Sequence, residues 1–326
     1  MHIDHQRVMH EAEVSGSGTF FCMVKDSSVL RVRGRDTLDL LNRLTTMKLD
    51  TLRCGQLSET IITNEKGRVL DVAIVAVRDE DVLLLLSPYQ GASISEWLEK
   101  YTIMEDCVYE DLSSDYSQIS LYQIDEHLRL GDDAQPAVGE WRQITIGGRD
   151  VLALRHESVT GGGLRLLCAR EDAEAMRDHL LDDCDVAFVG EEAHTLWRID
   201  RLIPAVGHEL SMLSNPLEAG ASAAVDFEKG CYIGQEVIAR LDSYNKVQRA
   251  AQRIVWMEGV PADLPVGTAL LAGGKNAGFV TTHAYDPRTA CWRGIALLRH
   301  AFSGSEIELE TSGTDHPYHA RIEIQS

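Results

Sequence analysis

With 326 residues, 44% of them hydrophobic and 25% charged, the chain can build two or three packed units and has the balance of an ordinary globular protein, which excludes disordered and fibrous classes. A formal charge of -20 repels polyanions, so nucleic acid is not expected as a partner. The longest apolar run, Val72 to Val77, falls far short of the roughly 20 residues of a membrane-spanning helix, and the N-terminus carries neither a secretory nor a transit signal, so the expected setting is the cytoplasm, away from membranes.

After an expected mobile start, SSVLRVRG reads as a strand, and Asp36 is placed to cap a helix whose Leu38, Leu41 and Leu44 recur at helical spacing. LSETIITNEKGRVLDVAIVAV predicts a hairpin turning at Asn64 to Gly67, with DVLLLLS as its neighbour. A helix follows over Ser93 to Tyr101, and IMEDCVYED returns to a strand. Residues 117–190 repeat this style, with ITIGGRDVLAL as a Gly-Gly hairpin and an amphipathic helix over Glu171 to Leu181. From Lys246 onward, strands broken by Gly, Pro and Asn turns predict a small β-barrel. Charge marks the same boundary, since residues 246–326 hold eight Lys/Arg against eight Asp/Glu and leave the acidic excess to residues 1–245. The predicted class is α+β, with units 1–116 and 117–245 and a barrel over 246–326.

Seven scattered cysteines without a CxxC pair predict reduced thiols and no metal site. One of them, Cys231, lies in the most unusual stretch, Asn215 to Leu241. Gly230 and Gly234 permit tight geometry around it, and Gly234-Gln235-Glu236 leads into a predicted helix through Ile238 and Leu241. A nearby helix N-terminus and Lys229 favour thiolate, whereas Glu228 and Glu236 oppose it. Cys231 and Lys229 are therefore the candidate catalytic pair, and the competing reading makes Cys231 a small buried hydrophobe.

The run KGCYIGQE, comprising Lys229, Gly230, Cys231, Tyr232, Ile233, Gly234, Gln235 and Glu236, closely resembles the signature of the YgfZ-type folate-binding proteins of the aminomethyltransferase-like (GcvT) superfamily. VLRVRGRDTLDLLNRLTT and NEKGRVLD resemble that superfamily's N-terminal half, and the last 80 or so residues resemble its barrel. The resemblance implies two related α+β units forming a folate-binding ring or cloverleaf, a C-terminal β-barrel, and tetrahydrofolate or a one-carbon derivative as cofactor. WRIDRL resembles the segment of glycine-cleavage T-proteins whose glutamate contacts the pterin, which puts Asp200 at that place. A carboxylate there accepts two hydrogen bonds from the pterin ring N–H and amino group; the competing role is a salt bridge with Arg198 or Arg201. Trp197 is a candidate for stacking on the pterin, with core packing as its other role. T-proteins carry paired aspartates after the strand turn; Asp71 matches the first, a folate-site candidate, and Val72 stands where the second, catalytic one belongs.

Three functions follow. The first is an accessory protein that supports iron-sulfur cluster assembly or repair in other enzymes through Cys231, with transient client or assembly partners. The second is a folate-dependent aminomethyl or one-carbon transferase, which Val72 opposes. The third is a folate sensor without chemistry.

Overall fold

A computed structural model describes residues 4–125, 128–130, 135–244, 246–302 and 307–323. In chain order the elements are α1 (His5–Ser17), β1 (Phe20–Val24), β2 (Ser28–Arg33), α2 (Thr37–Leu44), β3 (Leu57–Thr63), β4 (Val69–Val77), β5 (Val82–Leu86), α3 (Gly91–Tyr101), β6 (Val108–Asp111), β7 (Tyr116–Tyr122), β8 (Glu140–Ile146), β9 (Arg149–Arg155), β10 (Gly162–Ala169), α4 (Ala173–Asp182), β11 (Ala187–Phe188), α5 (Glu191–Arg201), α6 (Gln235–Ser243), β12 (Arg249–Trp256), β13 (Ala269–Ala272), β14 (Lys275–Asp286), β15 (Cys291–Arg299), β16 (Glu308–Ser312) and β17 (His319–Ile322). The class is α+β, as expected.

The chain divides into two compact bodies: Gly18–Phe188 with Ala223–Gln235, and the remainder, comprising residues up to Ser17, Val189–Ser222 and the chain from Glu236. In the first body, a five-stranded antiparallel sheet ordered β3-β4-β5-β2-β6 lies against a six-stranded sheet ordered β11-β1-β7-β10-β9-β8. Val29, Leu57, Ile74, Leu83 and Leu85 of one sheet pack with Leu154 and Leu167 of the other. The outer face of the five-stranded sheet is closed by α2 and α3 through Leu40, Leu41, Leu44, Ile94 and Leu98, and α4 covers the second sheet through Met176 and Leu180. The turn at Gly147 and Gly148, both at positive φ, joins β8 to β9 as the Gly-Gly pair requires. In the second body, β12-β15-β14-β13-β16-β17 close the expected C-terminal barrel around Ile254, Trp256, Leu270, Val280 and Leu298.

Two local expectations are corrected. Residues 5–17 form α1 rather than a mobile start: Asp4 Oδ1 accepts the Gln6 and Arg7 amides, and the helix buries Val8, Ala12 and Ser15, while the Glu11 carboxylate takes the Gly190 N–H at 2.8 Å. Asp36 stands before α2 but makes no side-chain cap; its carboxylate accepts the Asp106 amide instead.

Candidate functional site

The Ala223–Gln235 segment is bound to the first body by its backbone. Asp226 N donates to Thr46 O, Ile233 N to Arg43 O, and Thr63 Oγ1 to Ile233 O at 2.7 Å. Gly234 sits at φ +84°, where an added Cβ would lie 2.6 Å from Asn64 O, so only glycine fits this contact. Gly230 has nothing within 4 Å of such a Cβ and no positive φ, so its expected tight geometry is absent and it leaves open space beside Cys231.

Lys229 is buried, 7% exposed, and its ammonium donates to Asn42 O at 2.6 Å, Thr45 O at 2.8 Å and Met47 O at 2.7 Å. Asn42 is in the last turn of α2, Thr45 is its C-cap and Met47 follows just beyond; where helical partners run out and the dipole is negative, a cation is a natural cap. Burial pushes the lysine down to about 8, opposed by Asp226 and Asp50. All three ammonium hydrogens have carbonyl acceptors. Lys229 is thus a staple for the loop, and the expectation that it serves the thiol gives way to that role. Tyr232 is also buried, with its ring 5.2 Å from Nζ and its phenol pushed up to about 12 by burial. Between these two anchored residues Cys231 is exposed, so the buried-hydrophobe alternative does not hold. Glu228 and Glu236 are exposed too, where water screens them. α6 starts only at Gln235, the last residue of this body.

Asp71, on β4 of the same body, has no exposed surface. Its carboxylate accepts Val72 N at 2.8 Å and Ser87 N at 3.2 Å, and burial pushes it up to about 6. It joins β4 to the end of β5, a supporting role rather than a surface for a ligand. Val72, paired across β3 with Ile61, is buried, so the place of the second aspartate holds an apolar side chain.

Trp197 and Asp200 belong to α5 in the second body. Trp197 is 3% exposed, with its ring stacked on His194 and the Arg201 guanidinium 5.1 Å away, which is the core-packing role. Asp200 pairs with neither Arg198 nor Arg201. Its Oδ1 accepts Arg293 Nη1 at 2.5 Å and its Oδ2 accepts Arg288 Nη2 at 3.0 Å, and both arginines also hold the fully buried Asp286. Arg253 adds a bond to Asp200 O. Arg198 instead meets Glu209, whose carboxylate also accepts the Thr281 and Thr282 hydroxyls and the Ala205 amide. Arg288, in the β14–β15 turn, and Arg293, on β15, lie some 90 residues from Asp200 in segments with no motif of their own, so nothing in the sequence signals them. Among the described residues, no three His, Cys, Asp or Glu side chains gather to hold a metal, and no helix is long and apolar enough to cross a membrane.

The GCVT N-terminal domain family model matches residues 5–229. The chain belongs to this family. The family likeness extends beyond that domain: an aminomethyltransferase of Halalkalibacterium halodurans is 28% identical over 313 residues, covering 91% of this chain and 83% of that protein. One of Geobacillus kaustophilus is 29% identical, covering 93% and 85%. A putative chloroplastic transferase of Arabidopsis thaliana is 29% identical over 83% of this chain and 63% of its own length. The crystal structure of the glycine cleavage system aminomethyltransferase T from Bartonella henselae superposes with a TM-score of 0.74 over 97% of this chain at 18% identity, which makes the GCVT-type fold common to both.

Proposed function

We propose that this GCVT-family chain binds tetrahydrofolate or a one-carbon derivative and acts in the cytoplasm as a folate-dependent transferase of the aminomethyltransferase type. The likeness to aminomethyltransferases along more than 90% of the chain carries this reading. Asp200 suits the pterin: the arginines occupy one lone pair on each carboxylate oxygen and hold the group in place, leaving a second lone pair on each for the ring N–H and amino group. Bound folate would supply the one-carbon acceptor; the chain's part is to recognise and orient it.

Two observations favour a second reading, the YgfZ-type accessory role supporting iron-sulfur enzymes. The acid expected for aminomethyl transfer is replaced by buried Val72, while Cys231 is exposed on a stapled loop. A soft thiolate suits iron or sulfur, and one cysteine needs further ligands from transient client or assembly proteins. The test is turnover with an aminomethyl-loaded carrier protein and tetrahydrofolate, paired with complementation of a deletion strain by wild type and Cys231→Ser. Methylenetetrahydrofolate formation at a rate typical of aminomethyltransferases supports the first reading. Absence of turnover, with iron-sulfur enzyme activity rescued by wild type and not by the serine variant, overturns it in favour of the second.

A further inference from the structure

The barrel carries a cleft of about 310 Å³ lined by Gln248, Arg249, Asn276, Gly278, Phe279 and Arg299 together with Gly267 and Ala269. Such a volume falls at the lower end of small-molecule sites. In a chain of net charge -20, this lining holds two arginines and no carboxylate.

The two arginines differ in what they have left to offer. They stand directly opposite each other in the β12–β15 ladder, an arrangement that costs stability for like charges unless something offsets it. Arg249 is offset from within: its Nε and Nη2 bond the two oxygens of buried Glu218 at 2.9 and 3.1 Å, and its guanidinium lies over the Phe279 ring at 4.9 Å. Its edge and one face are therefore occupied, and it forms a wall of the cleft. Arg299 is exposed, and among the described residues its guanidinium has no hydrogen-bond or ion-pair partner. The floor at Gly278 is bare backbone, because an added Cβ would fall 2.1 Å from Leu297 O. The side-chain amides of Gln248 and Asn276 supply further donors on the rim.

We infer that this cleft is a binding site for a small molecule bearing an oxyanion, a carboxylate or a phosphate, held by the Arg299 guanidinium fork against the Arg249–Phe279 wall. Guanidinium pairs with either anion through two parallel N–H···O bonds. The site lies wholly within the second body and does not depend on folate recognition by Asp200.

Calorimetric titration of the full chain at fixed ionic strength, with inorganic phosphate and with glutarate as probes, tests it. Saturable binding of one probe is expected, and which one binds separates a phosphate-bearing from a carboxylate-bearing ligand. Arg299→Gln should weaken that binding at least tenfold with an unchanged melting temperature, whereas Arg321→Gln, at an exposed barrel arginine outside the cleft, should not. Failure of both probes to saturate, or equal affinity in wild type and Arg299→Gln, overturns the inference and leaves Arg299 a solvated surface charge.

Discussion

The loop around Cys231 and the helix end at Asp200 solve one problem in two ways. Each brings a charged side chain to a place where several backbone or side-chain groups need a partner. At the loop, Lys229 is neutralised by dipoles, the three carbonyls at and just beyond the end of α2, so no acid is consumed and the neighbouring thiol stays exposed. At α5, Asp200 is neutralised by full charges, Arg288 and Arg293, which also bind Asp286, while Arg293 extends to Glu323. A dipole-held charge is a dedicated staple. A charge within a network of arginines remains an acceptor with spare lone pairs, and its geometry is set by groups that serve other partners as well. The first arrangement anchors a loop whose thiol stays exposed, and the second fixes the orientation of the carboxylate.

The sharpest way to break this contrast is to remove the staple. Lys229→Met leaves three carbonyls without their donor in a buried place, and we expect a loss of about 3 kcal/mol or more in urea unfolding. If the midpoint of unfolding stays at the wild-type value, the ammonium is not what holds the loop.

Asp71 tests the opposite sign of the same device, an anion held by backbone N–H groups. Its folded-state value of about 6 lies above the ordinary 3.8, so between these values the native state binds more protons than the unfolded chain. Stability from this group is fully present below pH 3.8 and falls as pH rises through 6, by up to about 3 kcal/mol. Asp71→Asn should flatten this part of the pH profile. An unchanged difference in unfolding free energy between pH 4 and 7 would show that Asp71 does not titrate in that window.

Much of the fold was legible because local signals agreed with tertiary demand. The Asn64 to Gly67 turn sits between two runs of strong β-propensity, and the Gly147-Gly148 pair matches the positive φ of a two-residue hairpin. α1 was not legible: its buried face includes Glu11 and Ser15, polar residues whose partners and packing appear only in the folded chain. The site shows the same division. The positions of Cys231 and Gly234 could be read from the run itself, but their neighbours could not. Sequence adjacency suggested Lys229 for Cys231 and Arg198 or Arg201 for Asp200, whereas Lys229 bonds carbonyls more than 180 residues away and Asp200 bonds Arg293 at a separation of 93. A charge on a folded chain answers to what surrounds it in space.

Asp200 sharpens the comparison at intermediate size. Asp200→Ala should lower tetrahydrofolate affinity by about 1–3 kcal/mol, because the pterin donors lose an acceptor. It should also destabilise the second body, because Arg293 loses one of its partners. Calorimetry and urea unfolding on the same variant separate the two. Lost stability with unchanged affinity would make Asp200 purely structural.

The smallest expected change in stability is at Cys231, and there it carries the most information. Cys231 and Cys54 are the two exposed thiols, and Cys54 is held above the ordinary thiol range by its hydrogen bond to Asp79, with Gly55 N opposing. Burial pushes Cys168 up to about 11 and raises Cys107 and Cys184 as well. The thiolate is the species that alkylates. Cys231 should therefore label first at pH 7, ahead of Cys54, and peptide mass mapping of a time course ranks them. Because an exposed side chain contributes little, Cys231→Ser should shift unfolding by no more than about 0.5 kcal/mol. Lys229→Met joins the two halves of the comparison: if the staple sets the thiol's presentation, releasing it should change the Cys231 labelling rate while leaving the rate at Cys54 unaltered. Equal changes at both cysteines would point to general loosening of the first body instead.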